Sequence, residues 1–151
     1  MRLGALTRPE LIFPGLQAAD RSQLLRILAQ EIAARGLVGS AEELYQKLWE
    51  REQIGSTGIG SGIAIPHTKL KGLAKGTVAV GTVPGGVDFG AADGRPVRLV
   101  FLVISPSESP AEHLQVLAAI SGWIKADRHA DGVLALDAPE AIQRYLEEEG
   151  G

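Results

Sequence analysis

The chain of 151 residues is 45% hydrophobic and 22% charged, the size and balance of one ordinary folded domain rather than a disordered or fibrous chain. Fifteen Lys and Arg against eighteen Asp and Glu leave a net charge of −3 and a pI near 5.6, which offers no electrostatic footprint for DNA or RNA. The absence of cysteine excludes disulfides, thiolate metal sites and cysteine nucleophiles, and the longest apolar run, Leu99 to Ile104, is six residues where a membrane helix needs about 20.

The opening residues, Met1 to Pro9, lack the sustained apolar core of a secretory signal, so a cytoplasmic location is expected. Residues 20–36 read as a first helix. Asp20 can cap it, Gln23 sits three residues on as in a capping box, and Leu24, Leu28 and Ile32, flanked by Leu25, repeat as one buried stripe. Gly36 is the expected stop. A second helix opens at Ser40-Ala41-Glu42-Glu43, the same box, presents Leu44, Tyr45, Leu48 and Trp49, and is expected to end near Arg51 or Glu52.

Three strands are expected next: Gly62 to Ile65, stopped by Pro66; Thr77 to Val83; and Val97 to Ile104, central and buried on both faces. A third helix begins at Ser109-Pro110-Ala111-Glu112, with Ser109 as cap, Pro110 at the first helical position and Glu112 completing a box. Its two apolar faces, Leu114–Leu117–Ala118 and Val116–Ile120–Trp123, predict broad burial against a sheet. Asp127 to Gly132 reads as a polar loop with His129 at the surface. A last helix over about 138–149 ends in Glu147-Glu148-Glu149-Gly150, where acidic charge opposes the macrodipole and predicts fraying. No repeat or linker divides the chain. Residues 1–151 are expected to form a single α/β domain, a mixed sheet with helices on both faces.

Asparagine is absent and Met1 is the only methionine. Depletion of thermolabile residues is a thermophile trend, and compositional drift gives the same pattern. With the capping boxes, the first reading predicts a melting midpoint above the mesophile range of about 45–65 °C, which calorimetry checks.

Chemistry concentrates in residues 50–70. Gly55, Gly58, Gly60 and Gly62, with Ser56, Thr57 and Ser61 between them, make a loop rich in accessible N–H groups, suited to anions. It is neither a Walker A loop, for no Lys follows the last glycine, nor a dinucleotide fingerprint, for it precedes a strand. His67 follows Pro66, whose ring fixes its own φ and biases Ile65 toward extended geometry. A neutral imidazole there can attack phosphorus; an ordinary structural or surface role is the plainer reading of the local features. His113 lies in the first turn of the third helix, where free N–H groups favour an anion; a half-buried helix polar residue is the plainer reading. Arg51 at a helix end is favourable on dipole grounds alone. No carboxylate stands at metal-ligand spacing from the histidines, so no metal is expected.

Together these residues resemble the enzyme IIA component of the bacterial phosphoenolpyruvate-dependent sugar phosphotransferase system, of the fructose–mannitol type that includes nitrogen-regulatory IIA proteins. The resemblance rests on Gly55-Ser56-Thr57-Gly58-Ile59-Gly60 leading into Gly62-Ile63-Ala64-Ile65-Pro66-His67. Asp93-Gly94-Arg95-Pro96-Val97 and Glu112-His113-Leu114-Gln115-Val116-Leu117-Ala118 extend it, in order, and it spans roughly residues 3–148. Ser61 replaces an acidic residue of the mannitol proteins, and Thr68 a frequent glycine. The resemblance implies that His67 carries phosphate, that His113 and Arg51 support the phosphoryl group, and that Thr57 or Ser56 donates a hydrogen bond to it. It implies a donor, HPr or an HPr-like carrier, and either a separate IIB component that accepts on cysteine or a regulatory target protein. It implies no cofactor. A protein-binding module of the same fold, never phosphorylated, is the alternative of a different class.

Overall fold

Strand residues alternate between two faces, and the apolar run 99–104 uses both. Leu99, Phe101 and Val103 join one hydrophobic cluster, while Val100, Leu102 and Ile104 join the other. All six are buried, so this strand is the spine of the molecule. The structure, a computed structural model, describes residues 2–149; Met1, Gly150 and Gly151, and with them the last residue of the acidic helix end, lie outside.

Two 3-10 turns, Leu3–Leu6 and Pro9–Leu11, lead into β1 (Ile12–Phe13). α1 (Arg21–Ala34) and α2 (Ala41–Ile54) follow, then β2 (Gly58–Gly60), β3 (Ile63–Ala64), β4 (His67–Leu70), β5 (Thr77–Val87) and β6 (Val97–Pro106). α3 (Pro110–Ile124), α4 (Asp127–Leu134) and α5 (Pro139–Glu149) complete the described chain. The strands form one mixed sheet in the order β1-β5-β6-β3-β2, with β4 also on β6. β5 and β6 are antiparallel; β3 and β4 run parallel to β6. α1 and α2 cover one face, and α3, α4 and α5 the other. The expected mixed sheet flanked on both sides is the observed architecture.

α1 and α2 start where their local chemistry directs. Asp20 accepts from Gln23 N at 2.8 Å, and Ser40 from Glu43 N at 3.1 Å, each worth about 1 kcal/mol. α2 runs past the expected end to Ile54 before Gly55. α3 departs from expectation at its start. Ser109 makes no side-chain cap bond, and the other half of the box is missing too, for Glu112 accepts from Gly76 N at 2.7 Å while Ser109 N donates to Pro106 O at 3.1 Å. One α3 stripe, Val116–Ile120–Trp123, is buried, while Leu114 is exposed, so the broad double face is not formed.

α4 replaces the expected polar loop. It has no side-chain cap, and Gly132 lies inside it because a Cβ there would enter the Tyr145 ring on α5.

β3 and β4 are one strand broken at Pro66. Ile63 pairs with Leu99 and Ala64 with Val100; His67 to Leu70 then pair with Val103 to Pro106 in the same offset. Pro66 removes one ladder donor toward β6, while its carbonyl still accepts from Val103 N at 2.9 Å. The interruption immediately precedes His67, which stays in register with the spine.

Candidate active site

His67 opens β4, and its ring turns back on the broken strand. Nδ1 lies 2.8 Å from Ile65 O. A carbonyl can only accept, so Nδ1 carries the proton and Nε2 the lone pair. Arg51, in the last turn of α2, donates from Nε to that Nε2 at 3.2 Å and from Nη1 to Gly55 O at 2.9 Å. Burial holds the imidazole below its ordinary pKa; the Arg51 and Lys69 charges add to this, and the Ile65 bond and Glu52 oppose it. The ring is therefore neutral near pH 7, the state of a nucleophile.

His113 approaches from the first turn of α3. The two rings are 5.4 Å apart, tilted by 50°, close enough to share one phosphate-sized group. His113 is 6% exposed, and its pKa is lowered by burial first, then by His67 and Lys69. Its Nδ1 lies 2.7 Å from Ser105 Oγ at the end of β6. With the serine hydroxyl donating to Nδ1, His113 keeps its proton on Nε2 and becomes a donor to an anion. Ser105 was not legible as a site residue; its signal is a hydroxyl that interrupts the apolar strand run just where the ladder brings β6 beside β4.

The structure thus gathers His67, His113 and Arg51. It engages the other two candidates elsewhere. Thr57 Oγ1 donates to Glu52 Oε1, and Ser56 Oγ donates to Phe89 O at 2.5 Å while accepting from Gly58 N. Both hydroxyl protons serve the loop rather than standing free for an anion. Glu52, also unforeseen, is a fully buried carboxylate beneath this loop. Ser61 lines a cavity of about 250 Å³ with Ile124, at the opposite end of α3 from His113, so the replacement of an acidic residue there lies away from His67. Asp93 holds its turn by accepting from Ser61 N at 2.9 Å.

His129 is not at the surface. It is 7% exposed inside α4 and stacks on Trp123 with centroids 4.9 Å apart. Among the described residues no group of three or more His, Asp or Glu side chains is placed to hold a metal ion, and no helix is long and apolar enough to cross a membrane.

The largest exposed hydrophobic side chains among the described residues are Ile54 at 82%, Leu114 at 67% and Ile59 at 52%. Ile54 is three residues after Arg51, Leu114 adjoins His113, and Ile59 lies in the glycine loop.

Comparison with known proteins finds likeness over nearly the whole chain. Residues 5–149 match the family model described as phosphoenolpyruvate-dependent sugar phosphotransferase system, EIIA 2. A nitrogen regulatory protein of Bradyrhizobium diazoefficiens is 35% identical, over 97% of this chain and 95% of its own length. A fructose-specific EIIA component of Haloferax volcanii is 30% identical, over 97% and 95%. The crystal structure of the nitrogen regulatory protein IIA-Ntr from Neisseria meningitidis superposes with a TM-score of 0.87 at 27% identity, covering 95% of this chain and 98% of that one.

Proposed function

The chain belongs to the EIIA 2 family of the phosphoenolpyruvate-dependent sugar phosphotransferase system, and from that premise we propose that it is a protein-histidine phosphocarrier, taking a phosphoryl group on His67 Nε2 from phospho-HPr or an HPr-like carrier. One observation carries this reading: a neutral imidazole whose free nitrogen meets Arg51 at 3.2 Å and whose ring lies 5.4 Å from that of His113. The Nε2 lone pair forms the new N–P bond in line as the donor's N–P bond breaks, and the leaving electron pair returns to the donor's imidazole. The Nδ1 proton stays in its bond to Ile65 O. Arg51 Nε must leave Nε2 as the phosphoryl group arrives and then faces its oxygens. An anion beside that guanidinium gains several kcal/mol of gross attraction at an effective dielectric of about 20, before desolvation. His113 donates from the other side. Positioning and charge are most of what phosphoryl transfer requires. The exposed Ile54, Ile59 and Leu114 suit the site to partner proteins rather than to a small substrate.

The onward acceptor in this reading is the cysteine of a IIB component, which lies outside these 151 residues because they hold no cysteine, and the process served is sugar uptake. A second reading is favoured by the two nitrogen-regulatory relatives: the same phosphorylation sets the affinity of the chain for regulatory targets. Incubation with enzyme I, HPr and phosphoenolpyruvate, followed by intact mass, tests the shared step. One phosphate per chain is expected, acid-labile and alkali-stable, and absent from His67→Ala. Undiminished labelling of that variant overturns the assignment. Subsequent transfer to a IIB protein supports the first reading, and phosphorylation-dependent binding without such transfer supports the second.

A further inference from the structure

Glu52 takes no part in the transfer, yet it is the residue on which the site's geometry converges. Its side chain is wholly buried, a costly place for a carboxylate unless it is paired and hydrogen-bonded. The pairing comes from α1, 31 residues earlier in the chain, and the hydrogen bonds from the loop that follows α2. Arg21, the first residue of α1, approaches Oε2 with Nη1 at 3.4 Å. Thr57 N contacts both carboxylate oxygens at 3.3 Å, and Thr57 Oγ1 donates to Oε1.

The hydrogen bonds continue to the reactive ring. Thr57 O accepts from Ile65 N at 2.9 Å, and Ile65 O accepts from His67 Nδ1 at 2.8 Å. Each link in this path joins different peptide units at Thr57 and Ile65, so it transmits position rather than polarisation. A second path runs through Arg21, whose Nη1 also donates to Phe89 O at 3.2 Å, the carbonyl that receives the Ser56 hydroxyl. Glu52 is also the chain neighbour of Arg51, which ties itself to Gly55 O at 2.9 Å. The carboxylate therefore grips both ends of the segment 51–57 that separates the cationic residue from the strand bearing His67.

We propose that Glu52, held by Arg21, is a positioning residue for phosphoryl transfer, fixing the His67 ring through Thr57 and Ile65 and fixing Arg51 through the loop they share. This rests on the phosphocarrier reading. The Glu52 charge also opposes the lowering of the His67 pKa by burial, which gives a readout independent of activity. Glu52→Gln keeps the shape and removes the charge. Arg21→Gln removes only the clamp, from a residue with a partly exposed side chain, and Arg21→Lys restores the charge.

The test combines steady-state phosphorylation by phospho-HPr with 15N NMR of the His67 ring in the unphosphorylated proteins. Displacing a reacting group by about 1 Å costs on the order of 100-fold. Glu52→Gln should therefore lower kcat roughly 10- to 100-fold, with KM for phospho-HPr little changed. Its His67 should lose the single Nδ1–H tautomer and titrate at a lower pH than in the wild type. Arg21→Gln, which leaves the Glu52 charge in place, should lower kcat and loosen the tautomer in the same way by less, without the downward shift in titration, and Arg21→Lys should recover most of the loss. A folded Glu52→Gln protein with wild-type kcat and an unaltered ring spectrum overturns the proposal. If that variant does not fold, the same result in Arg21→Gln overturns it. Failure of the wild type to take phosphate defeats the parent reading instead, and the ring spectra still decide whether Glu52 positions His67.

Discussion

His67 and His129 make the same first hydrogen bond. In each, Nδ1 lies 2.8 Å from a backbone carbonyl, of Ile65 in one case and Trp123 in the other, which fixes the proton on Nδ1 and the lone pair on Nε2. What surrounds Nε2 then separates them. At His67 it meets a guanidinium in a half-open site, with a second imidazole 5.4 Å away by ring centroid. At His129 it is buried without a hydrogen-bond partner among the described residues, between the stacked Trp123 and the edge of Tyr145. The His129 bond instead satisfies a carbonyl in the last turn of α3, one of the four every helix end leaves open. A fixed tautomer alone does not make a nucleophile; access to the second nitrogen and a charge to receive the product do.

Removing His67 should have the largest effect. His67→Gln is expected to abolish phosphorylation by phospho-HPr, measured by intact mass, while His129→Leu should label at the wild-type rate. Equal labelling of His67→Gln and wild type would erase the distinction between the two sites. The next effect belongs to the groups that only the first site has. Charge-assisted hydrogen bonds are worth about 1.5–3 kcal/mol, so Arg51→Gln or His113→Gln should slow transfer roughly 10- to 150-fold, at about 1.4 kcal/mol per decade. A change of less than about twofold in both would mean that neither touches the phosphoryl group.

At the second site the expected effect is on stability. His129→Leu leaves Trp123 O without its donor in a buried place, at a cost of about 1–3 kcal/mol. For a chain of this length each kcal/mol lowers the melting midpoint by about 2–4 °C. Calorimetry should show that drop while His67→Gln, whose ring is half-exposed, shows less of one. A His129→Leu protein that melts with the wild type would mean the histidine is incidental to the packing of α3 on α4.

How much of this was legible in the sequence follows from how local each signal is. α1 and α2 were readable because Asp20 and Ser40 carry their own start signals and the buried leucines repeat within each helix. β6 was readable from its apolar run. β4 was not, because His67-Thr68-Lys69-Leu70 has no alternation of its own and is a strand only through its pairing with β6. β1 spans two residues and exists for the same reason, whereas β3 (Ile63–Ala64) falls inside the strand expected over Gly62 to Ile65. α4 was misread because it lacks a cap, contains Gly132, and owes its burial to Tyr145 and Trp123 from other helices. In the site, the motif around Pro66 and the start of α3 identified His67 and His113. Glu52 escaped because a charged residue near a helix end normally faces water, and its partners Arg21 and Thr57 are brought to it by the fold.

The smallest expected effect concerns acid. His67 and His113 both have their pKa values lowered, by burial first, so between pH 7 and the folded-state values the unfolded chain binds more protons than the folded one. Stability then rises with pH across that window. In the other direction, it is intact above the unfolded value of about 6.5 and declines as pH falls through that value toward the lowered ones. Asp93 has a lowered pKa too, through its bonds from the Ser61 and Arg95 backbone N–H groups. Its titration is thus held below the ordinary carboxylate range, clear of the histidine window. Denaturant melts at pH 7, 6 and 5 should therefore show a loss of stability on acidification that shrinks in His67→Gln/His113→Gln. The same slope in that double variant would place the acid-sensitive group elsewhere in the fold and deny that burial of these two rings is what keeps them neutral and ready to react.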